Sequence, residues 1–289
     1  MLPAALERDL ERQADRYDAL VSRADAEALA ALEDARRDVL VALLAAVPAD
    51  ARPERESLSV ALLLLARSLS GLSRVEDVAR RYARQAWDRG AADTAEVIRR
   101  FEPVIDRRVP WPDVLDVATA AALVSYLRQR AEAAMRLAVV RGDTWGNVAQ
   151  SVAGERRSAL AEGRGAVVRS IEETTSVGYN LAAQAEIGAH DASGVGAAAG
   201  RLSRMVVEIR DRRNHPISRV LDRQVAGPDE DFVASVASVE AVAKSMRRSA
   251  GAVFWPVRDG AYRGRNLPAH PYERGRIIPW RASWAQVSA

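Results

Sequence analysis

Apolar residues recur at steps of three or four from the start of the chain: Leu6, Leu10, Ala14, Tyr17, Val21, Ala24, Ala28, Ala31, Ala35, Val39, Ala42 and Ala46. Steps averaging near the helical repeat keep these side chains on one face, so residues 4–47 read as a single helix. At 1.5 Å per residue it would run roughly 65 Å. Pro48 and Pro53 stop the pattern, because proline lacks the N–H and crowds the preceding turn. The stripe is rich in alanine, which lets a neighbour come close but buries little area. Its partner is either the rest of this chain or another subunit, and the pattern leaves both open.

Further helices are predicted over 57–69, over 73–90 and over 93–101. Ser73 followed by Glu76 looks like a capping box at the start of the second. Trp111-Pro112-Asp113 introduces a long helix ending near Arg141, and Gly142-Asp143-Thr144 reads as a helix end followed by the next N-cap. Helices over 145–152 and 155–190 follow, then a linker of small residues at 191–200. After that the pattern changes. Residues 205–209 have the β-branched character of a strand, 216–221 a short helix or turn, 229–231 an acidic loop and 233–248 a helix. Residues 276–280 read as an edge strand, where Pro279 is tolerated. The expected fold is mainly α: long N-terminal helices over 1–199, then a small α+β domain over 200–289.

Charge follows the same division. The chain has 289 residues, with 42 basic and 39 acidic side chains and a net charge of +3. Residues 200–289 hold 16 basic and 9 acidic side chains (net +7), leaving 26 and 30 (net −4) in 1–199. The overall balance argues against a general nucleic-acid coat. The basic tail, with Tyr and Trp interleaved, offers Arg247, Arg248, Arg263 and Arg265 as possible DNA contacts; a solvated or protein-facing surface is the alternative. A chain of this length can bury about 70% of its unfolded surface, enough for a sizeable core. The absence of Cys excludes a disulfide scaffold, a Cys-ligated zinc site and a thiol nucleophile. No targeting segment is visible. The most apolar stretch, 58–66, ends at Arg67, short of the roughly 20 residues that span a bilayer. A soluble protein with no membrane role is expected.

Candidate chemistry is sparse. Gly194, Gly196 and Gly200 superficially resemble a dinucleotide loop, but no strand precedes them. Asp211, His215 and Asp222 could suggest metal ligation, but no second His lies at helical spacing and no HExxH is present, so structural hydrogen bonding is the favoured reading. Ser218 lies near His215 and Asp222 in sequence, without the strand–turn–helix elbow that a hydrolase nucleophile needs. No catalytic residue, cofactor or metal is expected, and the chain does not read as an enzyme.

Two segments carry a spaced pattern. One is Asp211-Arg212-Arg213-Asn214-His215-Pro216-Ile217-Ser218-Arg219-Val220-Leu221-Asp222. The other is Leu267-Pro268-Ala269-His270-Pro271-Tyr272-Glu273-Arg274-Gly275-Arg276-Ile277-Ile278-Pro279. Together they resemble the two signatures of the phage Mu protein F-like head morphogenesis family, the minor head proteins of tailed phages. The stretch Val168-Arg169-Ser170-Ile171-Glu172, with Asn180, resembles the family's Arg-Thr-Glu helix. The residues that carry the likeness are Arg169, Glu172, Asp211, Arg213, His215, Leu221, Asp222, Pro268, His270, Pro271, Arg274 and Arg276. Departures are equally specific: Ser218 stands where Cys or His is usual, Arg223 replaces a Gly, and Glu273 and Gly275 replace two Cys.

The resemblance implies a structural minor head protein that joins the procapsid at the portal vertex and stays in the virion head. Its implied partners are the portal protein, the major capsid protein or both, and the basic tail could face packaged DNA or neighbouring subunits. The motifs read physically as a folding clasp. Arg213 would pair with Asp211 or Asp222 in bidentate geometry, and His270 would donate to Asp222. The rival readings are a DNA-binding accessory factor inside the head and, from the enzyme class, a toxin or processing module on the same domain.

Overall fold

The first helix, α1 (Ala4–Ala46), is uninterrupted, and its buried positions show why. Leu6, Leu10, Ala14 and Tyr17 are buried as expected, and the buried line then runs through Leu20, Ala24, Ala28, Leu32, Ala35, Val39 and Leu43. Val21, Ala31 and Ala42 are only half-buried and Ala46 is exposed. A 3.6-residue repeat drifts against whole-number steps, and the larger leucines take the inward positions because each buries more apolar area. The stripe is thus covered by this chain.

The structure, a computed structural model, describes residues 2–53, 55–104, 109–112, 118–196, 198, 200–208, 216–246, 261–264 and 275–286. The chain is mainly α, with long helices first and a small strand-bearing region last. It forms two compact units, and neither is one continuous stretch. One unit comprises 1–21, 82–115 and 172–289; the other comprises 22–81 and 116–171. This differs from the division at residue 200 read from composition. That boundary marks where helices give way to strands, whereas α1, α3 (Ser73–Phe101) and α6 (Arg164–Ala192) each contribute turns to both units.

The all-helical unit contains the second part of α1, α2 (Arg55–Ser68), a 3-10 turn at Leu69–Leu72, α4 (Ala118–Val140) and α5 (Trp145–Ala153). Leu32, Leu65, Leu69, Leu72, Leu127, Met135 and Leu160 are fully buried in it. Gly142, at φ 75°, ends α4 in the left-handed conformation that glycine tolerates. The α4–α5 corner is tied to the α1–α2 connection: Trp145 N–H donates to Ala51 O and Gly146 N–H to Ala49 O, each at 2.8 Å. The run Leu58–Phe101 contains an 18-residue window of mean hydropathy 1.4, long and apolar enough to cross a membrane by length and composition. The stretch 58–66 alone does not reveal this. Leu65, Leu69, Leu72 and Val75 in the same run are buried in the protein core.

The strand-bearing unit holds a three-stranded antiparallel sheet in the order β2 (Val225–Ala226), β1 (Ser203–Val207), β5 (Arg276–Trp280). Register pairs Met205 with Ile278 and Val207 with Arg276. A second sheet pairs β3 (Phe232–Ser235) with β4 (Ala261–Gly264). Two short helices, α7 (Pro216–Leu221) and α8 (Val236–Ser245), lie between strands in the chain. Phe232, Leu202, Val206, Leu221, Ala234 and Ile277 form the core together with Leu6 and Ile98.

Several local expectations need correction. The segment 233–248 is not one helix: its first residues belong to β3, and the Ser235 hydroxyl caps α8 by accepting from Ser238 N–H at 3.2 Å. Ser73 does not take the extended backbone of a capping-box N-cap: it is already helical at φ −58°, and its hydroxyl donates to Ser70 O across the 3-10 turn. The last long helix starts at Arg164, not 155, after an irregular stretch in which Arg157 adopts φ 56°. Gly90 does not end a helix, because α3 runs through it. A Cβ on Gly90 would sit 2.2 Å from Tyr179 O, and one on Gly178 would sit 2.7 Å from Ala83 O. These glycines allow α3 and α6 to cross with their backbones nearly touching.

Candidate functional site

The two signature segments lead to one place, the C-terminal end of β1. Val207 pairs with Arg276 at the start of β5. The next residue, Glu208, donates its N–H to Asp222 Oδ1 at 3.1 Å. Arg223 N–H donates to Val206 O at 2.8 Å. The described ends of the signatures, Leu221-Asp222 and Arg276, therefore meet across β1. Leu221 is fully buried, and Arg276 is buried with its guanidinium donating to Leu10 O at 2.8 Å. A cleft of about 360 Å³ opens here, with Glu7, Glu11 and Glu208 on its walls beside Arg223 and Arg276.

Arg223 has φ 66°, the left-handed region in which L side chains are strained. It follows the Leu-Asp pair where the resembled signature has Gly. The backbone at Arg223 is thus one that glycine adopts without strain.

Asn180 is the least expected member of the site. It is buried on α6, and its Oδ1 accepts from Ile277 N–H at 2.8 Å while its Nδ2 donates to Gly275 O at 3.2 Å. One side-chain amide thus pairs with an N–H and a C=O two residues apart, as a neighbouring strand would. β5 is an edge strand, and an uncovered edge invites pairing with other chains. Asn180 covers that edge from the helix side. Its Nδ2 also donates to Ser176 O at 3.0 Å, which fixes the amide's orientation.

A polar seam lies beside this clamp. Tyr179 Oη donates to Asp93 Oδ2 at 2.8 Å, Arg16 reaches Asp93 Oδ1 at 3.1 Å, and Gln13 donates to Asp93 O at 3.2 Å. Burial raises the Asp93 carboxyl above the ordinary aspartate range, and the bonds from Tyr179 and Arg16 only partly counter it. Burial likewise pushes the Tyr17 phenol up to about 12 and raises Tyr179, whose rings meet edge to face at 5.0 Å. These groups stay neutral hydrogen-bonding partners at neutral pH in the case of the tyrosines.

A second cluster anchors the end of the chain. Glu102 accepts from Arg281 Nε at 2.5 Å and from Trp284 Nε1 at 3.1 Å, and lies 3.0 Å from His190 Nε2. Arg281 also donates to Gly200 O. Burial raises the Glu102 carboxyl, but the bonds from Arg281 and His190 outweigh it and hold the group below its ordinary value.

No family model matches the chain, and no curated protein or solved structure matches it. The resemblance therefore rests on the motif residues themselves. Of these, Asp211, Arg213, His215, Pro268, His270, Pro271 and Arg274 lie outside the described residues, as do Arg247, Arg248 and Arg265. The expected bonds from Arg213 and His270 to Asp222 lie there too. Asp222 is already engaged by Glu208 N–H. Arg169 is exposed and donates to Gly165 O within its own helix, and Glu172 is half-buried one turn later. Arg263 is exposed on β4, 3.9 Å from Asp231, so part of its charge faces the acidic loop. Among the described residues no group of three or more His, Asp or Glu side chains is arranged to hold a metal ion. Asn180, Glu102 and Arg204 went unread as site residues, apart from Asn180's place in the helix motif. Arg204 is buried on β1, lies over the Phe232 ring at 5.2 Å and donates to Gly227 O at 2.9 Å.

Proposed function

We propose that this chain is a structural minor head protein of a tailed phage or phage-like particle, taken into the procapsid near the portal vertex and retained in the head. The reading rests on the paired signatures, in order and spacing. One observation supports it beyond sequence likeness: the described parts of the two segments, starting at 216 and 275 and so 59 residues apart in the chain, come together on β1, as a shared clasp would. The left-handed Arg223 adds support, since a glycine position of the resembled signature keeps a glycine-like backbone. In this role the contacts at β1 hold a fold together and turn over no substrate.

The test is quantitative mass spectrometry of purified particles from cells carrying the gene, with crosslinking to identify the neighbour. Particles that contain the chain crosslinked to a portal or capsid protein support the proposal; particles that lack it at every stage of maturation refute it. A DNA-contacting role is favoured separately by the net +7 of residues 200–289, and crosslinks to packaged DNA would distinguish it.

A further inference from the structure

α4 carries two apolar faces, and the core of its unit uses only one. Leu127, Ala131, Met135 and Ala138 are buried. On the other side Tyr126, Leu137 and Val140 are exposed, at 42%, 51% and 83%, and Ala122 and Ala133 are exposed with them. These five stand at steps of four, seven, four and three along one unbroken helix. At 3.6 residues per turn they fall within an arc of about 60° and form one line roughly 27 Å long. Ala133 lies seven residues from both Tyr126 and Val140, the heptad spacing of a coiled-coil seam, and Gln129 is a polar break in it.

The flanks of the line are cationic. α4 contains Arg128, Arg130 and Arg136 against one acid, the half-buried Glu132, and Arg141 follows its last residue. Arg130 lies over the Tyr126 ring at 5.7 Å, and its charge is met by Glu162 at 2.6 Å. Arg136 and Arg141 are exposed on opposite sides of the line, about 60° and about 80° from Ala133. They set the sign of the charge around Leu137 and Val140.

We propose that this seam receives a helix of a partner protein that carries acidic residues beside its own apolar line. Charge and shape select that occupant. Acidic flanks would face Arg136 and Arg141 as the charges beside a coiled-coil seam do, and the exposed alanines leave holes for the larger side chains of a facing helix. A second copy of this chain would set arginine against arginine, a repulsion that disfavours the pairing. A membrane surface calls for a broad face with Trp, Phe or Leu, whereas this line is narrow and two of its five residues are alanine. The inference does not depend on the head-protein reading.

Because the chain has no cysteine, Ser125→Cys places a single thiol beside the seam for an environment-sensitive dye. The probe is a synthetic peptide of about four heptads with Leu at the core positions and Glu at the flanking ones; the control peptide has Lys in place of Glu. The Glu peptide should shift the dye's emission saturably, and less tightly as salt is added, while the Lys peptide should not. Leu137→Glu, and separately Arg136→Glu with Arg141→Glu, should each weaken binding at least about tenfold with circular dichroism unchanged, since these side chains are exposed. No shift with the Glu peptide overturns the proposal, as does an equal shift with the Lys peptide or binding that both variants retain. Sedimentation at twice the 31.4 kDa of one chain, reduced to a single chain by Leu137→Glu, would assign the seam to a second copy. Binding to phosphatidylglycerol vesicles that the same change abolishes would assign it to a membrane. Either result also overturns the proposal.

Discussion

Asn180→Ala isolates the contact that holds β5 to α6. The substitution leaves Ile277 N–H without its acceptor at 2.8 Å and Gly275 O without its donor at 3.2 Å, both at a buried position. An orphaned buried polar group costs about 1–3 kcal/mol, and the loss at Ile277 N–H alone should cost that much. For a domain of 150–250 residues, each kcal/mol moves Tm by about 2–4 °C, which gives a drop of about 2–12 °C. Trp280 in β5 and Trp284, stacked on Phe101 at 4.6 Å, report the same region by fluorescence. Asn180→Asp separates hydrogen bonding from shape. Its carboxylate still accepts from Ile277 N–H but sets a lone pair against Gly275 O, so burial and repulsion raise its folded pKa above the unfolded aspartate value of about 3.9. A raised folded pKa means that the stability present in acid is lost as pH rises through it. The deficit of this variant against wild type should therefore shrink on acidification, while that of Asn180→Ala stays constant. A Tm for Asn180→Ala within about 2 °C of wild type would refute the clamp, because that is below the cost of a single orphaned group.

Gly90→Ala should cost about 1–3 kcal/mol in chemical denaturation despite alanine's better helix propensity, since its Cβ would meet Tyr179 O at 2.2 Å and neither backbone can yield. Arg223→Gly should leave stability unchanged or raise it by up to about 1 kcal/mol, and Arg223→Val should lower Tm, because the backbone there is left-handed and the ion contacts of the exposed Arg223 side chain, to Glu7 and to the buried Asp222, are long at 3.7 Å. Glu102 has a lowered carboxyl, so the stability it contributes is present above the unfolded value and is lost as pH falls through the folded one. Glu102→Gln should be less stable than wild type at neutral pH, with a melting temperature that falls less steeply in acid. If the basic tail meets DNA, the full chain should be retained on a DNA column at low salt and released steeply with added salt, and the Arg247→Glu and Arg248→Glu double variant should elute earlier; unchanged elution of that variant would assign retention to other residues.

Local periodicity was enough to read the existence of α1, the short α7, the edge strand at 276–280 and the mainly α class. A repeat of three to four, or a β-branched run ending in a tolerated proline, is written into neighbouring residues. The two segments that resemble the signature pair are likewise visible as order and spacing along the chain. What escaped was set by distance in space. Gly90 looks like a helix end in sequence, and only the carbonyl of Tyr179 lying against it shows why glycine is there. The place of the division between compact units depends on which turns of α1, α3 and α6 pack together, and composition carries no record of that. Asn180 could be seen in a helix motif, but its partners lie 95 and 97 residues away, so its task of closing a strand edge exists only once the chain has folded. The same holds for Arg223, whose left-handed backbone and N–H bond to Val206 O exist only in the folded chain. Side-chain type and spacing decide which helices and strands can form; close backbone approach and long-range hydrogen bonds decide how they are joined.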